Sequence, residues 1–331
     1  FIQMKTLLNN IDLNEALFAK SNIGFVPTMG SLHDGHVSLI RKSLKLSNKT
    51  IVSIFVNPKQ FNNKEDYKKY PRNIKKDLKI LKRLKVDFVY LPKIKDIYKP
   101  LNKIKIKLNK QDKVLCAKYR KGHFEGVIDV MTRLTKIVNP SKIFMGEKDF
   151  QQLILVKRYV EKNFKSKIIA CKTIRDKNKL ALSSRNILLN KKNLEKAGEV
   201  ARNLDIFKKQ LSKNKNLKNL IFMKKNELKK KYDIKIDYLE LRNTKNLRLT
   251  NKIKNAKIFI AYKKYAPTPK KDTNPITSVI VVTKTLDAIA GSIFIFLSVT
   301  GTNIPNKPAT IIVRIIEIEI IKESRISWNH N

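Results

Sequence analysis

Apolar and polar residues alternate along the first half of the chain in blocks of two different periods. Ile23 to Val26 and Thr50 to Val56 are short apolar runs, and the second is stopped by Asn57-Pro58. Val86 to Leu91, Ile143 to Met145 and Lys167 to Ile174 are runs of the same kind. Short, unbroken apolar runs bounded by breakers read as strands buried on both faces. Between them the spacing is helical. Ile74, Leu78, Leu81 and Leu84 lie on one stripe, and Gly35 to Leu46, Phe124 to Val138 and Gln151 to Asn163 form further helices. Strand–helix–strand order with apolar strands predicts an α/β class, a Rossmann-like doubly wound parallel sheet over residues 1–185. Right-handed crossovers then place ligand sites at the carboxyl ends of the strands.

The pattern changes after residue 185. Two lysine-rich helices precede the strand-like Ile234 to Leu241 and Ala256 to Tyr262, so residues 186–263 read as a smaller α+β domain packed on the first. Beyond it, Pro267, Pro269 and Pro275 make a breaker-rich linker. The β-branched runs Ser278 to Val282 and Ile311 to Ile321 follow, with no evident partner strands. Residues 264–331 carry no assignable function.

Glycine marks where the chemistry sits. The chain has nine, far below the usual ~7%. Gly30, Gly35, Gly122, Gly126 and Gly146 fall in three short segments, as expected where backbone must turn sharply or approach a ligand. The first candidate site is Val26-Pro-Thr-Met-Gly-Ser-Leu-His-Asp-Gly-His36, after a strand and opening a helix. A helix N-terminus offers free N–H groups and a positive dipole end, which suits phosphate. His33 and His36, three apart, share one face of that turn and can stabilise charge on a leaving group. The second candidate, Gly146-Glu147-Lys148-Asp149, is again a strand-to-helix loop, in which Lys148 can neutralise phosphate and Asp149 can meet a ribose or Mg²⁺. The third, Leu182-Ser183-Ser184-Arg185-Asn186, offers two hydroxyls and a guanidinium as a phosphate clamp. The three together describe a nucleotide gripped from several sides.

Bulk composition narrows the partners. Net charge is +45, from 72 basic and 27 acidic residues. That suggests a nucleic-acid partner, but the lysines are spread along the whole chain, and no aromatic-rich basic motif accompanies them. No nucleic-acid partner is therefore expected, and a solvated basic surface still draws in anionic nucleotides. No apolar run approaches the roughly 20 residues of a spanning helix, and no signal-peptide pattern opens the chain. Cys116 and Cys171 have no metal-ligand or disulfide spacing. A cytoplasmic protein without a membrane partner is expected.

The motifs VPTMGSLHDGH, SIFVNPKQF, RKGHFEGV, IFMGEKDFQQL and LALSSRN, in this order and spacing, resemble the pantoate–β-alanine ligase family of His-x-Gly-His nucleotidyltransferases. The likeness runs from about residue 4 to 262. It implies that ATP and pantoate form pantoyl adenylate with release of pyrophosphate, and that β-alanine then displaces AMP to give pantothenate. It implies Mg²⁺ accompanying ATP, no metal held by protein side chains alone, and a homodimer. Carried over by position, Met29, Gly30, Ser31, Leu32, His33, Asp34, Gly35 and His36 would cradle the ATP phosphates, with His36 the general acid and His33 its partner. Gly146, Glu147, Lys148 and Asp149 would contact ribose and phosphate, with Lys148 catalytic. Ile174 would lie against adenine. Leu182, Ser183, Ser184 and the catalytic Arg185 would close over the phosphates. Gln60 and Gln152 would bind pantoate and then β-alanine, bordered by Asn57, with Arg120 and His123 nearby. Another acid-activating ligase or nucleotidyltransferase of the same group is the alternative within the class. Two departures stand out. Lys179 occupies a position that is usually glycine in the family, and residues 264–331 do not resemble the family's ending, as a shifted reading frame or a genuine extension would produce.

Overall fold

The computed structural model describes residues 3–98, 106–212 and 216–264, together with two short strands at 282–284 and 316–319. Six strands form one sheet: β1 (Lys5–Leu7), β2 (Ile23–Thr28), β3 (Lys49–Ile54), β4 (Phe88–Tyr90), β5 (Lys142–Gly146) and β6 (Lys167–Cys171). Their order is β1-β4-β3-β2-β5-β6, and each neighbouring pair is parallel. The connecting helices are α1 (Asn10–Leu17), α2 (Asp34–Leu46), α3 (Lys64–Lys69), α4 (Ile74–Arg83), α5 (Ile94–Ile97), α6 (Cys116–Tyr119), α7 (His123–Val138) and α8 (Phe150–Asn163).

Apolar side chains alternate between two cores because successive strand residues point to opposite faces. Phe25, Ile51, Tyr90 and Ile143 face one core with α7 and α8, whereas Val26, Val52, Val89 and Phe144 face the other with α2 and α4. A sheet covered on both faces is what the unbroken apolar runs predict. The chain runs outward from β2 through β3 to β4, then returns to the other side of β2 with β5 and continues to β6. The order therefore reverses between β2 and β5, and a crevice opens beyond their carboxyl ends.

The second unit is built from α9 (Lys191–Leu211), α10 (Leu217–Tyr232), β7 (Ile234–Asn243) and β8 (Ala256–Lys264). β7 and β8 are antiparallel with an irregularity at Ile236/Tyr238. Leu204, Phe207, Leu228, Tyr238 and Phe259 join the same core as α7 and α8. The small unit thus shares one apolar interior with the first, and the expected boundary at residue 185 falls inside the turn Ser184–Leu188.

β1 and α1, three and eight residues long, are elements on which the apolar pattern is silent. Two expectations need correction. The strand expected to reach Ile174 ends at Cys171, after which the chain enters a turn closed by the bridge Arg175↔Ala181. The expectation that the tail's strands lack partners fails for β10 (Ile316–Glu319), which pairs antiparallel with β8, and for β9 (Val282–Lys284), which pairs with β10. The remainder of 265–331, and with it the expectation that this segment is foreign, lies outside the described residues.

Candidate active site

One cavity occupies the crevice. Its wall includes Met29, His33, Gly35 and His36 from the loop after β2, and Gly146, Lys148 and Asp149 from the loop after β5. Asn57 and Gln60 after β3, Gln152 on α8, and Ile174, Leu182, Ser183, Ser184 and Arg185 complete the expected set. Residues from six separate segments converge because each loop leaves the same edge of one parallel sheet.

At the histidine end the backbone does something the motif does not reveal. His33 caps α2, and its Nδ1 accepts the Gly35 amide at 3.1 Å, while His36 Nδ1 accepts the His33 amide at 3.3 Å. The rings pack at 4.1 Å between centroids. An Nδ1 that accepts an N–H leaves the proton of a neutral imidazole on Nε2. Both rings are therefore set as Nε2–H donors. His33 Nε2 is a buried atom with no hydrogen-bond partner among the described residues. Burial, followed by the nearby Lys148 charge, pushes His36 down to about 3. Burial and then His36 push His33 down further. Both rings are thus neutral near pH 7.

The expected cradle of free amides is largely taken up within the protein. The Gly30 amide donates to Thr28 Oγ1 at 3.2 Å, and the Ser31 and Leu32 amides donate to the buried Asp77 carboxylate at 2.8 Å each. Gly30, Ser31, Leu32 and Asp34 do not line the cavity. Their loop is a scaffold: Gly30 has φ of +77°, and a Cβ there would lie 2.9 Å from Ile54 Cγ2. Burial raises the Asp77 pKa against the opposing pull of its two amide bonds. Glu147 likewise does not line the cavity. It faces the small unit and pairs with the buried Lys257 at 3.3 Å.

At the glutamine end, the turn Pro58–Gln60 packs against the first turn of α7. Asn57 Nδ2 donates to Gln60 Oε1 and to the Gly126 carbonyl, each at 3.3 Å. His123 Nδ1 lies 2.6 Å from the Gln60 carbonyl, and Arg120 Nη2 donates to that carbonyl at 3.5 Å. The helix comes this close because residue 126 is glycine: a Cβ would lie 2.3 Å from the Lys59 carbonyl oxygen. Val127, Val130, Met131 and Leu134 of α7 give this end an apolar wall. On α8, Gln152 faces the cavity, whereas Gln151 turns away and donates to the Asp112 and Val114 carbonyls.

The pantoate-beta-alanine ligase family matches residues 3–268 of the chain. The chain belongs to that family. It is 42% identical over 241 residues to the pantothenate synthetase of Endomicrobium trichonymphae, covering 72% of this chain and 84% of that one. It is also 42% identical over 248 residues to that of Clostridium botulinum, covering 74% and 87%. The crystal structure of the Thermus thermophilus pantothenate synthetase superposes with a TM-score of 0.74 at 30% identity, covering 79% of this chain and 95% of that one. That of the Francisella tularensis ligase, complexed with β-γ ATP and β-alanine, superposes with a TM-score of 0.65 at 36% identity, covering 78% and 93%. Like the family, this protein is a ligase that forms the amide bond of pantothenate from pantoate and β-alanine.

Within this ligase, several wall residues carry no motif signal. Tyr70, Lys172, Thr173 and, on α7, Val130, Met131 and Leu134 reach the cavity only through the fold. Asp77 looks like any first-turn carboxylate of an amphipathic helix in the sequence. Lys179 shows why glycine is usual at its place: its φ is +66°, in a turn held by Asp176 Oδ1 accepting the Asn178 and Leu180 amides at 2.8 and 2.9 Å.

Proposed function

We propose that this cavity carries out the ATP-dependent condensation through a pantoyl-adenylate intermediate, with His33, His36, Lys148 and Arg185 as its catalytic groups. The observation that carries the proposal is the meeting of two Nε2–H imidazoles, Lys148 and Arg185 with Gln60 and Gln152 in a single crevice. The pantoate carboxylate attacks the α-phosphorus of ATP and pyrophosphate departs. The β-alanine amine then attacks the acyl carbon, AMP leaves, and the amine proton is lost.

The histidines serve this chemistry as donors. A neutral Nε2–H fixed by a backbone amide needs no reorganisation to meet a phosphate oxygen. The helix-end amides that bond Nδ1 polarise the ring, so the positive end of α2 acts through the imidazoles. His36 as an imidazolium acid is a poorer description, given the burial that holds it neutral. Bound phosphate would pull its pKa upward. Lys148 supplies the fixed positive charge, and Leu182 to Arg185 complete the phosphate contacts. Ile174 borders the adenine and Asp149 the ribose.

Gln60 and Gln152 each donate to and accept from hydroxyl and carboxylate groups, and the apolar α7 wall suits the branched hydrocarbon of pantoate. Among the described residues no cluster of three His, Cys, Asp or Glu could hold a metal. Mg²⁺ is proposed to accompany the nucleotide, with Asp149 the carboxylate at the cavity wall, where it would neutralise phosphate charge. Among those residues no helix is long and apolar enough to cross a membrane. A cytoplasmic homodimer is proposed with this activity.

The test is direct. Protein, ATP, pantoate, β-alanine and Mg²⁺ should yield AMP and pantothenate in equal amounts. Release of AMP that does not depend on pantoate, or that survives His36→Ala unchanged, would overturn the proposal.

A further inference from the structure

We infer that Asp66 is a positioning residue for Arg185, and that Phe61 to Tyr70 form a seat that fixes the clamp guanidinium at the cavity wall. The inference rests on the proposed role of Arg185 at the phosphates. Arg185 is 2% exposed, although it belongs to a surface-connected loop. A buried cation requires a partner of opposite charge and good geometry. Asp66 provides both: Nε lies 3.3 Å from Oδ1, and Nη2 lies 3.2 Å from each carboxylate oxygen. The Tyr70 ring covers one face of the guanidinium at 4.6 Å from its centroid, and Phe61 lies at 5.9 Å.

The seat is itself rigid. Phe61 packs edge-on against Tyr70 at 5.7 Å and against Tyr67 at 5.4 Å between centroids. Arg72 ties off the end of α3 by donating to the Lys68, Tyr70 and Tyr67 carbonyls. Glu65, the other carboxylate of α3, pairs with Lys68 and Lys69 instead. Asp66 is therefore the carboxylate that meets the clamp. It engages the Nε–Nη2 edge beside the Tyr70 ring, a forked contact that lysine cannot reproduce. Facing a polyphosphate, a carboxylate is repulsive, so its contribution is orientation and not charge. The seat begins at Phe61, the residue after Gln60, so one segment sets both the clamp and one end of the acid pocket.

A double-substitution cycle tests this. Asp66→Asn should lower kcat by about tenfold or more, as misorientation of a clamp does, with KM for pantoate nearly unchanged. Arg185→Lys should also lower kcat, and the double variant should be no slower than Arg185→Lys alone. Losses that multiply would show that Asp66 acts elsewhere and overturn the inference, as would an Asp66→Asn enzyme with wild-type kcat. Thermal denaturation accompanies each variant. If Asp66→Asn is unfolded, Asp66→Glu, which keeps the charge one methylene further out, takes its place in the same cycle. Binding of a non-hydrolysable ATP analogue is measured in parallel by calorimetry. If the wild type binds the analogue but makes no AMP, the proposed reaction fails. The seat is then judged by whether Asp66→Asn and Arg185→Lys weaken that binding non-additively; additive weakening overturns it.

Discussion

At one end the cavity is walled by two neutral imidazoles and a lysine, at the other by amide side chains and the apolar face of α7. At the histidine end only the imidazole orientation is set locally, by amides two and three residues away. The loop behind the rings is held by the Asp77 carboxylate, about 45 residues on, and Lys148 comes from a different strand-to-helix loop. The glutamine end is organised at long range, by α7 and its preceding turn more than sixty residues away in sequence. The difference teaches that the orientation of a donor can be written into a short motif, whereas the charge beside it and a shaped pocket need other elements brought alongside.

The comparison can be pushed until it breaks. His36→Ala removes a preorganised donor and should lower kcat by about 10²–10³-fold with the fold intact, measured by pyrophosphate release and circular dichroism. Gly126→Ala should strike the other end. Its Cβ would meet the Lys59 carbonyl at 2.3 Å, so α7 must shift at a cost of about 1–3 kcal/mol. KM for pantoate should rise more than KM for ATP; the reverse result would show that the two ends are not separately built. Asp77→Asn leaves one carbonyl oxygen for two amides and should cost about 1–3 kcal/mol in urea denaturation, with KM for ATP the more affected constant.

A smaller effect follows from the histidines' protonation. Their folded-state pKa values lie below the ~6.5 of an exposed imidazole. The unfolded chain therefore binds protons that the folded chain refuses. This stability is fully present above about pH 6.5 and is lost as the pH falls toward 3. Denaturation midpoints should drop between pH 7 and 5, and His36→Ala should flatten that slope. Ring resonances of His33 and His36 that titrate near 6.5 in the protein without nucleotide would contradict the half-buried, amide-bonded arrangement. Smallest is Lys179→Gly, which relieves a left-handed backbone and should stabilise by up to about 1 kcal/mol in thermal denaturation.

Much of this is legible in the chain itself. The strands after which His33 and Lys148 come, the α/β class and the clustering of scarce glycine follow from periodicity and from backbone demands. The resemblance adds Gln60, Gln152 and Asn57, and all three line the cavity. Glu147 sits in a motif that faces the site on one side of a strand-to-helix loop and the small unit on the other, and only packing shows its side. Ser31 and Leu32 lie in the motif as well, yet Asp77 claims their amides.

Local spacing determined which segments are strands, which are helices, and where a helix end would present donors, because those properties depend on residues a few positions apart. Tertiary structure alone decided which side chains face inward and which atoms are already satisfied. Asp66 and Arg185 stand 119 residues apart, as do other pairs whose meeting no period in the sequence records. A hydrogen bond or ion pair between distant segments depends on how the sheet is ordered and on which face each element buries, and those are set by the packing of the whole chain.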